Sequence, residues 1–129
     1  MSGSTKSTIV VIEDDPFLLD FYVSLLRDEA DYDAIGVCDV ESCLEVVRKA
    51  DVDLILSDVK LEASKATDLL TRLRGADVDA EAGRGVKVVF VSGLPPAQLQ
   101  ELGIEHYLAK PFDINDFMSF IADALQGAH

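Results

Sequence analysis

Side chains able to handle a phosphoryl group stand where the hydrophobic runs of this chain end. Asp53-Leu54-Ile55-Leu56-Ser57-Asp58 is a short apolar run bounded by acids, and Asp58 closes it. The β-branched run Thr8 to Ile12 gives way to Glu13, Asp14 and Asp15. Val86 to Val91 ends at Ser92-Gly93, and His106 to Ala109 ends at Lys110-Pro111. Carboxylates sharing a cleft repel one another unless a cation holds them. Oxygen-only ligands suit Mg2+, which keeps several waters and takes one or two carboxylates. An Asp so held can attack phosphorus, with lysine as a compact counter-charge and a small hydroxyl donating to a phosphoryl oxygen. Asp58 is the expected nucleophile.

These residues reach one place only if the runs are parallel strands. A short Leu/Ile run without alternation reads as a strand buried on both faces, and ligands of such sheets bind at the carboxyl edge. Between the strands lie helical patterns. Asp15-Pro16 is a helix start, with Asp15 as N-cap and Pro16 at the first helical position. Leu18, Phe21 or Tyr22, and Leu25 then recur at helical spacing to about Glu29. Ala34 to Val37 predicts a weaker strand, nearer the sheet edge. Val40 to Lys49 predicts a second helix with Cys43 or Leu44 and Val47 inward, and Lys65 to Arg74 a third. Gly75 to Gly85, without apolar period, predicts a loop. Pro95 to Leu102 is a short fourth helix followed by Gly103. Asp113-Ile114 opens the last, with Phe117, Phe120, Ile121 and Leu125 on one face. Strand and helix thus alternate five times, the pattern of an α/β, doubly wound parallel sheet.

Charge narrows the partners. With 24 acidic against 11 basic residues the net charge is −13, which repels nucleic-acid backbones. No apolar run approaches the roughly 18 residues of a membrane span. Residues 1–7 predict a disordered lead-in without the apolar core of a signal peptide, 8–126 a single domain, and 127–129 a tail. Cys38 and Cys43 read as reduced thiols in a cytoplasmic setting.

The ordered set Glu13-Asp14, Asp58, Ser92 and Lys110-Pro111, with Tyr107 three residues before the lysine, resembles the receiver domain of two-component response regulators. The resemblance covers about Thr8 to Leu125 and implies a flavodoxin-like (βα)5 sheet of strand order 2-1-3-4-5. It implies that Asp58 accepts phosphate from a sensor histidine kinase or a histidine phosphotransfer protein. Mg2+ would be held by Asp14 directly, Glu13 through water, Asp58 and the backbone carbonyl of Lys60. Lys110 would contact the phosphoryl group, and Ser92 and Tyr107 would form a switch pair. Lys60 and Gly93 would modulate the site, and Lys110-Pro111 would be a cis peptide. A stand-alone bacterial signalling domain is expected, working through a protein partner, with a homodimer as one expected assembly and neither nucleic acid nor membrane as target. It would phosphorylate and slowly dephosphorylate itself without turning over an external substrate.

The same residues have plainer readings. Glu13 and Asp14 favour a helix N-terminus electrostatically. Ser92 suits a turn, Lys110 a solvated surface, and Tyr107 a half-buried core position. Two other functions use the same plan: a small phosphohydrolase or phosphotransferase with an Asp nucleophile, and a degenerate receiver serving as a scaffold. The chain departs from the family after Asp58, where Glu62 stands at a usual Pro and Ala66 at a usual Gly. Lys60, two residues past Asp58, is expected to affect phosphate lifetime. The stretch from Ser92 to Tyr107 is shorter than in common receivers, by about a helical turn, and 75–85 is longer.

Overall fold

The structure, a computed structural model, describes residues 6–59, 71, 86–104 and 106–126. Its first strand, β1 (Thr8–Ile12), is followed by α1 (Pro16–Ala30), β2 (Asp33–Val37), α2 (Val40–Lys49) and β3 (Leu54–Val59). After the undescribed stretch come β4 (Lys87–Ser92), α3 (Pro96–Glu101), β5 (Tyr107–Ala109) and α4 (Ile114–Gln126). Among the described residues the five strands form one all-parallel sheet of order β2-β1-β3-β4-β5. This is the expected order, with β2 at an edge. The helix predicted over 65–74, apart from the helical Thr71, and the loop predicted over 75–85 lie outside the described residues. So do the 1–5 part of the lead-in and the 127–129 tail.

Alternation along the strands sends side chains to two cores. Ile9, Val11, Leu54, Leu56, Val89 and Val91 face α1 and α4, meeting Tyr22, Leu25, Leu26, Phe117 and Ile121. Val10, Ile12, Ile55, Val59 and Phe90 face the other way, onto Cys43, Leu44, Val47 and Leu99. Both inward alternatives in α2, Cys43 and Leu44, are buried. In α1 the ambiguity resolves for Tyr22, 2% exposed, over Phe21, 44% exposed.

Local chemistry sets where the elements begin and end. The Asp15 carboxylate accepts from Phe17 N at 2.9 Å and Leu18 N at 3.4 Å, with Pro16 at the first helical position, as the sequence predicts. Asp113 and Asp116 cap α4 reciprocally: Asp116 N donates to Asp113 Oδ1 at 2.7 Å and Asp113 N to Asp116 Oδ2 at 3.4 Å. The short α3 closes through Gly103, whose φ of 77° lets Ile104 N reach Leu99 O at 3.0 Å. β3 starts one residue later than the apolar run implies, because Asp53 works as a latch. Its carboxylate accepts from Thr8 N at 2.8 Å and its own N–H donates to Thr8 O at 2.9 Å. Gly36 lets α1 lie close on β2: a Cβ there would stand 3.0 Å from Leu19 Cδ1.

Candidate functional site

The ladders around β3 are unequal at its carboxyl end. Pairing with β1 stops at Ile12 and Ser57, whereas pairing with β4 continues through Asp58–Val91 and Val59–Ser92. Beyond Ile12 the first strand's chain stays bonded to β2, with Glu13 N donating to Val37 O at 3.0 Å. A crevice of this kind, where neighbouring chains diverge at the carboxyl edge, is where open α/β sheets bind ligands. Asp58 stands at its lip.

The Asp58 side chain is only 1% exposed, and its two oxygens are used differently. Oδ2 accepts from Lys110 Nζ at 2.7 Å and from the Tyr22 hydroxyl at 2.8 Å. Oδ1 is buried without a hydrogen-bond partner among the described residues. A buried carboxylate is tolerated only when paired and hydrogen-bonded, and the lysine supplies the charge that does so. Lys110 is carried to this position by the sheet: its own N–H donates to Ser92 O at 2.8 Å, and the cis Lys110-Pro111 peptide follows. Its side chain remains 32% exposed, so the cation stays in touch with water.

Glu13 is 3% exposed, and its Oε2 accepts from Asp15 N at 2.7 Å. It therefore shapes the turn into α1, and its charge is felt at the Tyr22 hydroxyl. Asp14 is exposed. The hydroxyl of Tyr22 feels both buried acids: burial first, then the hydrogen bond to Asp58 and the charges of Asp58 and Glu13, hold it far above the ordinary phenol range. In this structure it donates to Asp58 Oδ2. Among the described residues no group of three or more His, Cys, Asp and Glu side chains forms a ready-made metal cage. Glu13 and Asp58 each already meet a protein donor.

Ser92 is fully buried, and its Oγ accepts from Leu94 N at 2.9 Å, so here the hydroxyl braces the turn after β4. Tyr107 is half-buried and packs against the core cluster that contains Phe90, Leu99 and Ile104. Gly93 is exposed beside Lys110, with a Cβ position 4.0 Å from Lys110 Cβ. Lys60, Glu62 and Ala66 lie outside the described residues. The structure thus joins Asp58 and Lys110 directly and places Glu13, Ser92 and Gly93 on the neighbouring strand ends.

Tyr22 is the site residue that sequence reasoning left in the core. A signal existed: a buried tyrosine on an otherwise apolar helix face needs a partner for its hydroxyl. Only the fold shows that the partner is Asp58, 36 residues away in sequence.

The response regulator receiver domain family matches residues 9–122 of the chain. The protein belongs to that family and is a receiver domain of two-component signalling. A DNA-binding response regulator, MtrA of Mycolicibacterium smegmatis, is 27% identical over 125 residues, covering 94% of this chain and 51% of that protein. The DNA-binding transcriptional regulator NtrC of Rhizobium meliloti is 28% identical over 122 residues, covering 94% of this chain and 24% of the relative. The chain therefore spans about half or less of the curated relatives it matches. Among solved structures, the chemotaxis response regulator CheY4 of Vibrio cholerae superposes with a TM-score of 0.77 at 18% identity. That match covers 93% of this chain and 99% of the other, and at such identity it speaks for the fold. Receiver domains of response regulators interact with histidine kinases. No helix among the described residues is long and apolar enough to cross a membrane.

Proposed function

We propose that Asp58 is the phosphoacceptor of this receiver, taking a phosphoryl group from a phosphohistidine of a sensor histidine kinase or histidine phosphotransfer protein. The observation that carries this is the buried Asp58 carboxylate held at the crevice by Lys110 Nζ at 2.7 Å. A carboxylate oxygen attacks phosphorus, the bond from phosphorus to the donor nitrogen breaks, and its electron pair leaves with the imidazole. Lys110 orients the carboxylate before the attack and offers its charge to the phosphoryl oxygens during it. The buried Asp58 Oδ1, without a protein donor among the described residues, together with the hard-oxygen chemistry of Glu13 and Asp14, fits Mg2+. Glu13, Asp14, Asp58 and the Lys60 carbonyl would hold it. When bound it supplies charge neutralisation at the phosphoryl oxygens.

Ser92 and Tyr107 form the switch in this reading. The Ser92 hydroxyl would leave Leu94 N for a phosphoryl oxygen, and the face around α3, β5 and α4 would respond. The net charge of −13 supports a protein rather than a nucleic acid as this chain's target. The test is incubation with acetyl phosphate and Mg2+. The expected product is one hydroxylamine-labile phosphate per chain, absent in Asp58→Asn. Sustained multiple turnover by wild type with no adduct would instead mark a phosphohydrolase.

A further inference from the structure

A buried tyrosine on the acceptor carboxylate is a chemical component of the site, and its effect follows from what phosphorylation does to its partner. The Tyr22 hydroxyl donates to Asp58 Oδ2 at 2.8 Å, on the same oxygen as Lys110. We propose that this hydroxyl stabilises the free Asp58 carboxylate over its phosphorylated form and so shortens the life of the phosphoprotein. The inference rests on Asp58 being the phosphoacceptor.

The tyrosine is built to stay where it is. It is 2% exposed, and its ring stacks on Phe117 with centroids 5.7 Å apart and planes 22° from parallel. Phe117 stacks in turn on Phe112 at 5.7 Å, and Phe21 packs beside Tyr22 at 55°. This aromatic file, running from α1 to α4, fixes the hydroxyl at the carboxyl group and keeps it from following the phosphoryl oxygens outward.

Before transfer the acceptor is an anion. Afterwards one carboxyl oxygen is bonded to phosphorus, and the other is a neutral carbonyl oxygen. Hydrogen bonds to ionised acceptors are roughly twice as strong as to neutral ones, a difference corresponding to about a fivefold change in an equilibrium. In dephosphorylation a water oxygen bonds to phosphorus, the bond from phosphorus to the carboxyl oxygen breaks, and its electron pair returns to Asp58. The water's proton passes to the released phosphate and solvent. The hydroxyl strengthens its bond as that charge returns, so it assists the departure of the carboxylate and favours hydrolysis.

The experiment uses the full chain and Tyr22→Phe, which removes only the hydroxyl. Both are phosphorylated with acetyl phosphate, the donor is removed, and hydroxylamine-labile phosphate is followed in time. A slower decay in Tyr22→Phe, by up to about fivefold, supports the inference, whereas an equal or faster decay overturns it. Should Tyr22→Phe fold poorly by circular dichroism, 3-fluorotyrosine placed at position 22 keeps the ring and makes the phenol a stronger donor. Faster decay then supports the inference and unchanged or slower decay overturns it. The wild type is read first: if it takes no phosphate on Asp58, the phosphoacceptor reading itself fails and this inference falls with it.

Discussion

Lys110→Met separates the two halves of the Asp58–Lys110 pair, because it keeps the stem and removes the charge. The wild-type Asp58 side chain is 1% exposed and has Lys110 and Tyr22 as hydrogen-bond donors, both on Oδ2. Without the lysine an anion remains buried with one neutral donor. Removing one partner of a fully buried pair costs about 3–5 kcal/mol, and exposed pairs are worth about 0–1 kcal/mol. Lys110 lies between these limits at 32% exposure, since water already solvates part of the cation. A loss of about 2 kcal/mol is therefore expected, within the range of about 1.5–3 kcal/mol for a hydrogen bond to a charged group. The reverse change differs in kind. Asp58→Asn removes the buried charge and leaves a cation that water can reach, so it costs little or stabilises. In urea unfolding at pH 7 with a chelator present, Lys110→Met should lower the midpoint by roughly 1 M for a slope of about 2 kcal/mol/M. In the Asp58→Asn background the same substitution should cost little. Equal losses for the two single variants, or strict additivity in the double variant, would refute this account of the pair.

Three further outcomes follow from the packing. Gly36→Ala places a Cβ 3.0 Å from Leu19 Cδ1 and 3.2 Å from Val23 Cγ2. Both neighbours are half-buried side chains that can give, so a loss of about 1 kcal/mol is expected in thermal or urea melts. Gly103→Ala meets no atom within 4 Å but must adopt a φ of 77°, and backbone strain alone should cost about 1 kcal/mol. In native protein at pH 8 a disulfide-exchange reagent should label exposed Cys38 quickly and buried Cys43 only on unfolding. Burial pushes the Cys43 thiol up to about 12, so its contribution to stability is present below the usual thiol value and is lost as pH climbs toward 12. Rapid labelling of both thiols in folded protein would contradict that burial.

Sequence reading reached the frame of this molecule because local and global signals agree there. Thr8 to Ile12 is a strand by composition, and Asp15-Pro16 is a helix start by capping chemistry. The alternation of elements then leaves few topologies. Boundary errors have particular causes: Asp53 is spent on Thr8, and Val59 continues the ladder with Ser92 after β1 has diverged. Asp58 and Lys110 were legible because each closes an apolar run on the same edge. Tyr22 was not, because Phe21 and Tyr22 are adjacent on a helix and both suit a core stripe. Choosing between them requires the rotation of α1, which long-range packing sets. Ser92 shows another limit: its type suits a phosphate contact and a turn equally, and in the folded chain its Oγ accepts from Leu94 N.

The one-sided ladder at the end of β3 bears on motion. The strand is the middle of the sheet, hydrogen-bonded to β1 on one side and β4 on the other, and its Leu54, Ile55 and Leu56 are buried. Its amides should be among the last to exchange with deuterated solvent, opening only when the whole domain does. Asp58, the proposed acceptor, is thus mounted on a stiff part of the molecule, and chemistry there cannot be broadcast by the strand shifting. News of a charge on Asp58 has to leave sideways, through side chains that reach it from α1 and from the end of β5. In hydrogen exchange on adding a phosphodonor, protection should change in those flanks while the β3 amides keep their rates.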